Sequence, residues 1–257
     1  MGSQVHQTLP GAVALVGSGE YLDAMNEVDT YLLETVGGVR TATVALLPTA
    51  SGLEPNGPTS WNDLGLSHFR KLGVQDIRAT RIVDRDSAND AEQVELLKGA
   101  DFYYFSGGNP QHIIESLRDS AAWAVIKAAY EQGAVLAGCS AGAMMLSGRT
   151  LSIRKVMMGG EMEFVESMGI VPELIVFPHF DRMAGFLDQT RFQQLQRAVP
   201  KGNIVVGVDE ETALVRIATH TEDSTQSRWR VMGRQTVKVF VKDKEPLTLR
   251  AGEEINL

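Results

Sequence analysis

The chain has 257 residues, of which 44% are hydrophobic and 22% charged, a composition typical of a soluble globular protein with a sizeable core. Its formal net charge of −8 at pH 7 argues against nucleic acid or an anionic membrane as the main partner. Residues 1–10 show no targeting segment, and no apolar run is long enough to span a bilayer. Cys139 is the only cysteine, which excludes an internal disulfide and favours a reducing compartment. We therefore expect a cytoplasmic protein.

Short apolar runs alternate with helical stretches along the chain. Six runs are predicted to form buried parallel strands: 13–16, 43–47, 102–105, 134–136, 174–177 and 204–208. Helices are predicted near 22–36, 59–72, 91–98, 111–131, 141–147 and 184–198. Later β-rich runs at 212–216, 227–232 and 236–241 predict a short antiparallel extension at the C-terminus. Together these elements predict one three-layer α/β domain over residues 1–257, with a mostly parallel central sheet and a loose tail at 1–10.

The most informative segment is Gly138-Cys139-Ser140-Ala141-Gly142, which directly follows a predicted strand. In this G-x-S-x-G pattern the serine stands on a sharp strand-to-helix turn that exposes its hydroxyl. The glycines leave room in the bend, and the free amides of the following helix face whatever reacts there. The pattern predicts Ser140 as a nucleophile, although such a bend also forms for packing reasons alone. Cys139 is one residue too early for this geometry and is expected to be buried as a small hydrophobic side chain.

A histidine and a run of acids follow two other predicted strands. His179 comes after the run at 174–177, and three consecutive acids at 209–211 come after the run at 204–208. Because ligands of α/β sheets bind at the carboxyl ends of the strands, these side chains are expected to meet Ser140 there. A hydroxyl nucleophile needs a base and an orienting carboxylate, and the strand ends supply both types. The spacing leaves open which of the three acids takes part, and a structural role is the alternative for His179.

The predicted strand at 102–105 is followed by Gly107-Gly108-Asn109-Pro110. The structural interpretation is a helix start, with Asn109 as the N-cap and Pro110 at the first helical position. A Gly-Gly turn at a strand end can also present a backbone amide to a negatively charged oxygen. We therefore predict that an amide of this turn forms one half of an oxyanion hole and the amide of Ala141 the other.

No metal or cofactor site is predicted from the sequence. No spacing of His, Cys, Asp and Glu matches a metal-ligand pattern. Gly17-Ser18-Gly19 follows the first predicted strand, but it lacks the third glycine of a dinucleotide-binding loop and the lysine of a phosphate-binding loop. We therefore expect chemistry carried by side chains and backbone amides alone.

Four motifs, taken in order, resemble peptidase family S51, which includes dipeptidase E and cyanophycinase. They are Ser-Gly-Gly-Asn at 106–109, Gly-x-Ser-Ala-Gly-Ala at 138–143, Pro-His-Phe at 178–180 and Val-Asp-Glu-Glu-Thr-Ala at 208–213. The segments Leu-Val-Gly-Ser-Gly-Glu at 15–20 and Leu-Leu-Pro-Thr-Ala-Ser at 46–51 are also similar to this family. The resemblance extends over residues 12–215 and implies a fold similar to that of class I glutamine amidotransferases.

The resemblance implies roles for individual residues. It makes Ser140 the nucleophile, His179 the general base and acid, and Glu210 the acid of the catalytic triad. It assigns the oxyanion hole to the amides of Gly108 and Ala141. Asn109 is expected to help to hold the substrate, and Gln111 is a further candidate because a nearby glutamine is typical of cyanophycinases.

The predicted function is that of a serine peptidase that cleaves a peptide or isopeptide bond next to an aspartyl residue in a small peptide. Arg182 is a candidate for binding the substrate carboxylate, since a guanidinium group matches it bidentately, and pairing with Asp181 is the alternative. The alternative functions are cyanophycinase proper, a general serine esterase, and a non-catalytic amidotransferase-like binding module. The esterase is disfavoured because α/β-hydrolases place the acid before the histidine. A homodimer is compatible with the β-rich C-terminal tail.

Overall fold

The computed structural model describes residues 9–152, 163–183, 198–217, 227–242 and 244–257. The strands are β1 (Val13–Val16), β2 (Thr43–Leu47), β3 (Asp76–Ala79), β4 (Phe102–Phe105), β5 (Val135–Cys139), β6 (Arg149–Leu151), β7 (Phe164–Glu166), β8 (Leu174–Phe177), β9 (Ile204–Val208), β10 (Thr212–Ile217), β11 (Arg228–Gly233), β12 (Thr236–Phe240), β13 (Leu247–Arg250) and β14 (Glu254–Asn256). The α-helices are α1 (Asn26–Glu34), α2 (Gly57–Leu72), α3 (Ala91–Leu97), α4 (Pro110–Leu117), α5 (Ala121–Glu131), α6 (Ala141–Leu146) and α7 (Phe180–Met183). Short 3-10 helices span Asp23–Met25, Thr49–Ser51 and Ser87–Asn89.

The strands form two main sheets. Within the described residues the larger sheet has eight strands in the order β14-β11-β10-β1-β5-β4-β2-β3. Its part from β1 to β3 is parallel, whereas β10, β11 and β14 run antiparallel to their neighbours. The smaller sheet has the order β13-β12-β9-β8, with β8 and β9 parallel to each other. In addition, β6 and β7 form an antiparallel pair.

The central strands are apolar on both faces because both faces are covered. In β1, Ala14 and Val16 pack into the core that contains the apolar side chains of α1 and α2. Val13 and Leu15 point the other way, into a core shared with α3 to α6 and with the smaller sheet, including Val206 of β9. Helices on one face and helices with a second sheet on the other give the three-layer arrangement.

The predicted α/β fold, with its mostly parallel central sheet and antiparallel C-terminal extension, is confirmed. All six predicted strands are present, and the run at 134–136 extends to Cys139 as β5. Four of the six lie in the central sheet, whereas β8 and β9 lie in the smaller sheet, where β9 also pairs with β12. Strand β3 was not predicted, since its sequence Asp-Ile-Arg-Ala carries little apolar character.

The helix predicted at 111–131 is divided into α4 and α5. The division occurs at Ser120, whose hydroxyl accepts a hydrogen bond from the Trp123 N–H at 3.1 Å and so caps a new helix. Of the helix predicted at 184–198, residues 184–197 lie outside the described part of the chain. None of the helices in the described ranges combines the length and the apolar character needed to cross a membrane.

Candidate active site

Ser140 occupies the sharp turn between β5 and α6. Its backbone has φ 50° and ψ −108°, which is unfavourable for a residue with a Cβ atom. The Ser140 N–H donates to the Val16 carbonyl at 2.9 Å, and the Ser140 carbonyl accepts from the Met144 N–H at 3.0 Å. The turn is therefore held by β1 on one side and by the following helix on the other. Its serine side chain is partly exposed at the end of the strand.

Close backbone contacts require both glycines of this elbow. A Cβ atom on Gly138 would lie 2.4 Å from the carbonyl carbon of Gly142. A Cβ atom on Gly142 would lie 2.5 Å from the Phe105 carbonyl oxygen of the neighbouring strand β4. The strand, the helix and the adjacent strand thus approach more closely than any side chain would allow. This is the physical basis of the glycine spacing on which the elbow was predicted.

His179 lies where β8 ends and α7 begins. The Arg182 and Met183 N–H groups donate to the His179 carbonyl at 3.0 and 2.9 Å, which starts the helix. The next residue, Phe180, is buried with its ring against Gly207 of β9, where a Cβ atom would come within 2.4 Å of the ring. Packing of Phe180 on the smaller sheet therefore fixes the backbone of His179.

Glu210 follows β9 and is held by its backbone. The Glu210 N–H donates to Asp181 Oδ1 at 2.9 Å. Its carbonyl accepts from Gln235 Nε2 at 3.0 Å and from Thr212 Oγ1 at 3.1 Å. These contacts fix Glu210 between α7 and the turn that joins β11 to β12, directly beside His179.

A chain of hydrogen bonds joins the serine, the histidine and the glutamate. Ser140 Oγ lies 3.0 Å from His179 Nε2, and His179 Nδ1 lies 2.9 Å from Glu210 Oε1. Because a carboxylate only accepts, Nδ1 carries the proton, and the neutral ring accepts the serine hydroxyl proton at Nε2. The histidine side chain is 40% exposed, so a substrate has access to it. This arrangement can remove a proton from the hydroxyl while the carboxylate stabilises the imidazolium.

The two acids beside Glu210 face other partners. Asp209 is buried, and its Oδ2 accepts from the Thr236 N–H at 3.1 Å and from the Thr236 hydroxyl at 2.5 Å. Glu211 forms an ion pair with Arg234 at 2.8 Å. In the described part of the chain, Glu210 is thus the one acid of the three that contacts the imidazole. No group of three His, Cys, Asp or Glu side chains in that same part is arranged to hold a metal ion.

The turn after β4 has three successive backbone amides, and within the described residues the first and third are hydrogen-bonded while the middle one has no partner. The Gly107 N–H donates to Glu20 Oε1 at 2.8 Å, and the Asn109 N–H donates to the Ala50 carbonyl at 2.7 Å. The Gly108 N–H meets no acceptor among the residues that the structure describes. Gly108 has φ +142°, and a Cβ atom there would lie 2.4 Å from the Ala50 carbonyl. This turn therefore requires glycine at its centre.

A second unpaired amide stands on the other side of the serine. The Ala141 N–H is the first of α6 and likewise donates to no acceptor within the described ranges. The turn after β4 lies against the elbow, since a Cβ atom on Gly107 would be 3.5 Å from Ser140 Cβ. Within the described part of the chain, the amides of Gly108 and Ala141 thus have no hydrogen-bond partner and belong to the two segments that meet at the serine. Two such donors can stabilise a negatively charged oxygen.

The three candidate substrate-binding side chains are exposed and already contact protein groups. Asn109 Oδ1 caps α4 by accepting a backbone N–H at 3.0 Å, as the helix-start interpretation predicted. Gln111 Nε2 donates to Glu115 Oε1 at 2.7 Å. Arg182 Nε donates to Glu210 Oε2 at 3.2 Å, and its side chain is 74% exposed. Their contact with a substrate stays a prediction.

Two buried side chains lie beneath the elbow. The Cys139 thiol is fully buried and donates to Glu20 Oε2 at 2.7 Å. Burial, reinforced by the nearby Glu20 carboxylate, raises the pKa of the Cys139 thiol well above its ordinary value. The thiol is buried, as its position in the elbow pattern predicted, and its raised pKa disfavours the thiolate that a cysteine nucleophile requires. Glu20 was not predicted as a site residue, because an acid after a strand carries no sequence signal of burial.

An elbow serine with an imidazole and a carboxylate, set on an α/β sheet, defines the class of serine hydrolases. The sequence profile of peptidase family S51 matches residues 13–223. The chain belongs to this family and is a serine peptidase. The family resemblance seen in the sequence motifs is thereby confirmed.

Individual relatives are similar over most of the chain. A peptidase from an acI-B1 Actinobacterium is 32% identical, with a TM-score of 0.82 over 98% of both chains. The cyanophycinase of Geminocystis herdmanii is 25% identical over 221 residues, which are 81% of this chain and 75% of the relative. The cyanophycinase of Synechococcus elongatus is 25% identical over 245 residues, or 91% of this chain and 69% of the relative. A Listeria monocytogenes protein assigned as a peptidase E shares the fold, at 17% identity and a TM-score of 0.57, over 95% of this chain and 100% of its own.

Proposed function

We propose that this peptidase hydrolyses a peptide or isopeptide bond next to an aspartyl residue, through an acyl-enzyme on Ser140. The catalytic assignment rests on the chain of hydrogen bonds from Ser140 through His179 to Glu210, at 3.0 and 2.9 Å. The substrate assignment is supported by relatives that are named peptidase and cyanophycinase. The reaction uses side chains and backbone amides.

Acylation begins when Ser140 Oγ attacks the carbonyl carbon and His179 Nε2 takes the hydroxyl proton. Glu210 stabilises the resulting imidazolium through Nδ1. The carbonyl electron pair moves onto oxygen, where the amides of Gly108 and Ala141 hold the charge. The tetrahedral species collapses, the C–N bond breaks, and His179 protonates the leaving amine. Water then gives a proton to His179 and attacks the acyl carbon. The bond from the acyl carbon to Ser140 Oγ breaks, His179 returns the proton to Oγ, and the acid leaves.

The positive charge of a guanidinium group beside the triad supports the aspartyl preference. The Arg182 guanidinium binds Glu210 at 3.2 Å through Nε, yet its side chain is 74% exposed. Nε also lies 3.9 Å from Asp181 Oδ2, the alternative partner, whereas the terminal N–H groups meet no acceptor among the described residues. Through these groups a guanidinium can bind a substrate carboxylate in a bidentate manner. We infer that Arg182 orients the triad acid and binds the aspartyl side chain, while Asn109 and Gln111 contact the remainder of the peptide.

Hydrolysis of a small substrate panel tests this proposal. The panel contains Asp-X dipeptides, β-Asp-Arg, cyanophycin and a p-nitrophenyl ester, each with wild type, Ser140→Ala and Ser18→Ala. Ser18 is the matched control because it is a partly exposed serine after β1 that contacts no imidazole in the described residues. We expect wild type and Ser18→Ala to cleave aspartyl peptides, and Ser140→Ala to lose roughly 10⁴- to 10⁶-fold in turnover.

Each other outcome contradicts a definite part of the proposal. Cleavage of the ester alone would replace the aspartyl peptidase by a general esterase. Equal cleavage by Ser140→Ala would remove Ser140 as the nucleophile. If no substrate reacts, labelling by a fluorophosphonate decides between two explanations, since only an activated serine reacts quickly. Labelled Ser140 would change the substrate assignment, and absence of labelling would favour a binding module on this fold.

A further inference from the structure

Glu20 is a buried carboxylate that the proposed reaction steps do not use. It follows β1 and is only 7% exposed. Its Oε1 accepts from the Gly107 N–H at 2.8 Å, and its Oε2 accepts from the Cys139 thiol at 2.7 Å. Gly107 begins the turn after β4, and Cys139 is the last residue of β5. One carboxylate thus joins the oxyanion-hole turn to the residue that directly precedes Ser140.

The turn after β4 is anchored on both sides of the Gly108 amide, which has no partner among the described residues. Glu20 binds the Gly107 N–H at 2.8 Å, and the Ala50 carbonyl binds the Asn109 N–H at 2.7 Å. The Gly108 N–H lies between these two anchored amides. The middle peptide unit is planar and is joined through its Cα atoms to the two anchored units, so anchoring them restricts the position from which the Gly108 N–H points. Glu20 therefore fixes one of the two supports that aim the Gly108 amide.

Gly107 brings this turn into contact with the nucleophile. A Cβ atom at Gly107 would lie 3.1 Å from Glu20 Oε1 and 3.5 Å from Ser140 Cβ. The glycine is thus packed between the Glu20 carboxylate and the Ser140 side chain. A change in the position of the carboxylate would move the turn relative to Ser140.

We propose that Glu20 is a positioning residue for the oxyanion hole. It holds the Gly108 amide at the separation from Ser140 and from the Ala141 amide that a developing oxyanion requires. This inference rests on the proposed function and adds a residue outside the triad. Because the oxyanion forms only in the transition state, loss of the Glu20 contacts lowers the reaction rate and leaves ground-state binding unchanged.

A fluorophosphonate probe tests this role, because its phosphoryl oxygen takes the place of the oxyanion. Ser140 Oγ bonds to phosphorus, the P–F bond breaks, fluoride leaves, and His179 takes the hydroxyl proton. Glu20→Met keeps the length of the side chain and removes both acceptors, whereas Glu20→Gln keeps one oxygen for the Gly107 N–H. We expect Glu20→Met to lower the maximal labelling rate about 10- to 100-fold, with the half-saturating probe concentration unchanged. Glu20→Gln stays within about 3-fold of wild type.

Glu211→Met is the matched control, since Glu211 is another glutamate on this edge and pairs with Arg234 at 2.8 Å. It is expected to label at the wild-type rate. Full-rate labelling of Glu20→Met would overturn the proposal. So would Glu20→Gln labelling as slowly as Glu20→Met, because the hydrogen bond to Gly107 would then not be the cause. A change in half-saturation alone would also overturn it, since Glu20 would then contact the ligand.

A second variant covers the case in which circular dichroism shows Glu20→Met to be unfolded. Glu20→Asp withdraws the carboxylate by one methylene and is expected to lower the maximal rate in the same way. Full-rate labelling of a folded Glu20→Asp would then overturn the positioning role. Failure of the wild-type protein to label at Ser140 would instead contradict the proposed function, so the two failures are distinguishable.

Discussion

Ser140, His179 and Glu211 have φ values of 50°, 51° and 52°, although none of them is glycine. Such conformations cost about 1–3 kcal/mol each and persist where the surrounding structure enforces them. Hydrogen bonds do this here: Ser140 is held by Val16, and the Glu211 N–H donates to the Ser18 carbonyl at 3.1 Å. Ser140 and His179 belong to the proposed triad, and Glu211 directly follows its third member; the other described non-glycine residues with positive φ are Tyr21 and Asp119. The folded state keeps Ser140 and His179 in position before any substrate arrives.

Replacing Glu210 by glutamine is expected to disable the histidine. Arg182 donates to Oε2 at 3.2 Å, so the amide oxygen of the glutamine faces Arg182 and the amide nitrogen faces His179. The ring then accepts at Nδ1 and carries its proton on Nε2, where it cannot accept the Ser140 hydroxyl proton. We expect kcat to fall roughly 10²- to 10⁴-fold on the substrate that the panel identifies.

The control for this change is Glu211→Gln, whose carboxylate pairs with Arg234 at 2.8 Å and not with the histidine. It should keep kcat within about 2-fold of wild type, as expected for a partly exposed ion pair. Near-normal kcat in Glu210→Gln, or an equal loss in Glu211→Gln, would remove Glu210 from the triad.

The site residues that stand directly after strands could be predicted from the sequence. Ser140 carries a local pattern with a steric cause, and His179 and Glu210 stand at strand ends. The choice among the three acids could not be made from spacing, because Asp209 and Glu211 differ from Glu210 only in the direction of their side chains. Glu20 could not be predicted at all, since its donors lie 87 and 119 residues away along the chain.

Among the elements, the strands could be predicted because burial on both faces requires a continuous apolar run, which is visible in the sequence. Strands β2 and β4 are buried at every position and read Thr-Val-Ala-Leu-Leu and Phe-Tyr-Tyr-Phe. The sequence of a strand does not indicate which strand it pairs with. Strands β8 and β9 are apolar like β2 and β4, yet they pair with each other in the smaller sheet. Pairing depends on contacts between segments that are distant in the sequence. In the smaller sheet, β12 pairs with β9.

The junction between β5 and α6 is expected to tolerate no side chain at Gly138. In Gly138→Ala the new Cβ atom would lie 2.4 Å from the Gly142 carbonyl and 2.8 Å from the Ala143 nitrogen, so backbone must move. We expect a loss of about 3 kcal/mol or more in the free energy of unfolding, measured by urea denaturation. Fluorophosphonate labelling of Ser140 should fall as well, because the elbow is displaced.

Gly99→Ala separates this steric effect from the general cost of removing a glycine. Gly99 has φ +69°, and a Cβ atom there would meet nothing within 4 Å. Its replacement should cost about 1–2 kcal/mol through backbone strain alone and leave labelling unchanged. Stability of Gly138→Ala equal to that of Gly99→Ala would show that the elbow is less tightly packed than these distances indicate.

For the whole molecule, a buried hydrogen bond between a carboxyl group and an imidazole links two helices on one face of the larger sheet. Asp29 of α1 and His68 of α2 are 2.7 Å apart, with side chains that are each only 1% exposed. Burial raises the pKa of Asp29 above its ordinary 3.8, and the hydrogen bond with His68 opposes this rise. The folded protein therefore holds the Asp29 proton to a higher pH than the unfolded chain does. The stability contributed by this residue falls as pH rises through the raised pKa.

Asp29→Asn removes this titration while keeping an acceptor for the histidine. We expect the free energy of unfolding of wild type, relative to Asp29→Asn, to decrease as the pH is raised above 3.8. Urea denaturation of both proteins at a series of pH values measures the difference. The same comparison in a His68→Gln background shows whether the trend belongs to Asp29 itself. A difference that grows with pH would mean that pairing with His68 outweighs burial.

The proposed triad is divided between the two sheets. Ser140 directly follows β5 of the larger sheet, whereas His179 and Glu210 follow β8 and β9 of the smaller one. The 3.0 Å hydrogen bond from the serine to the imidazole therefore crosses from one sheet to the other. A relative displacement of about 1 Å would break it while every hydrogen bond inside each sheet stays intact. Turnover therefore depends on the alignment of the two sheets. We expect it to be lost on unfolding before the secondary structure is lost.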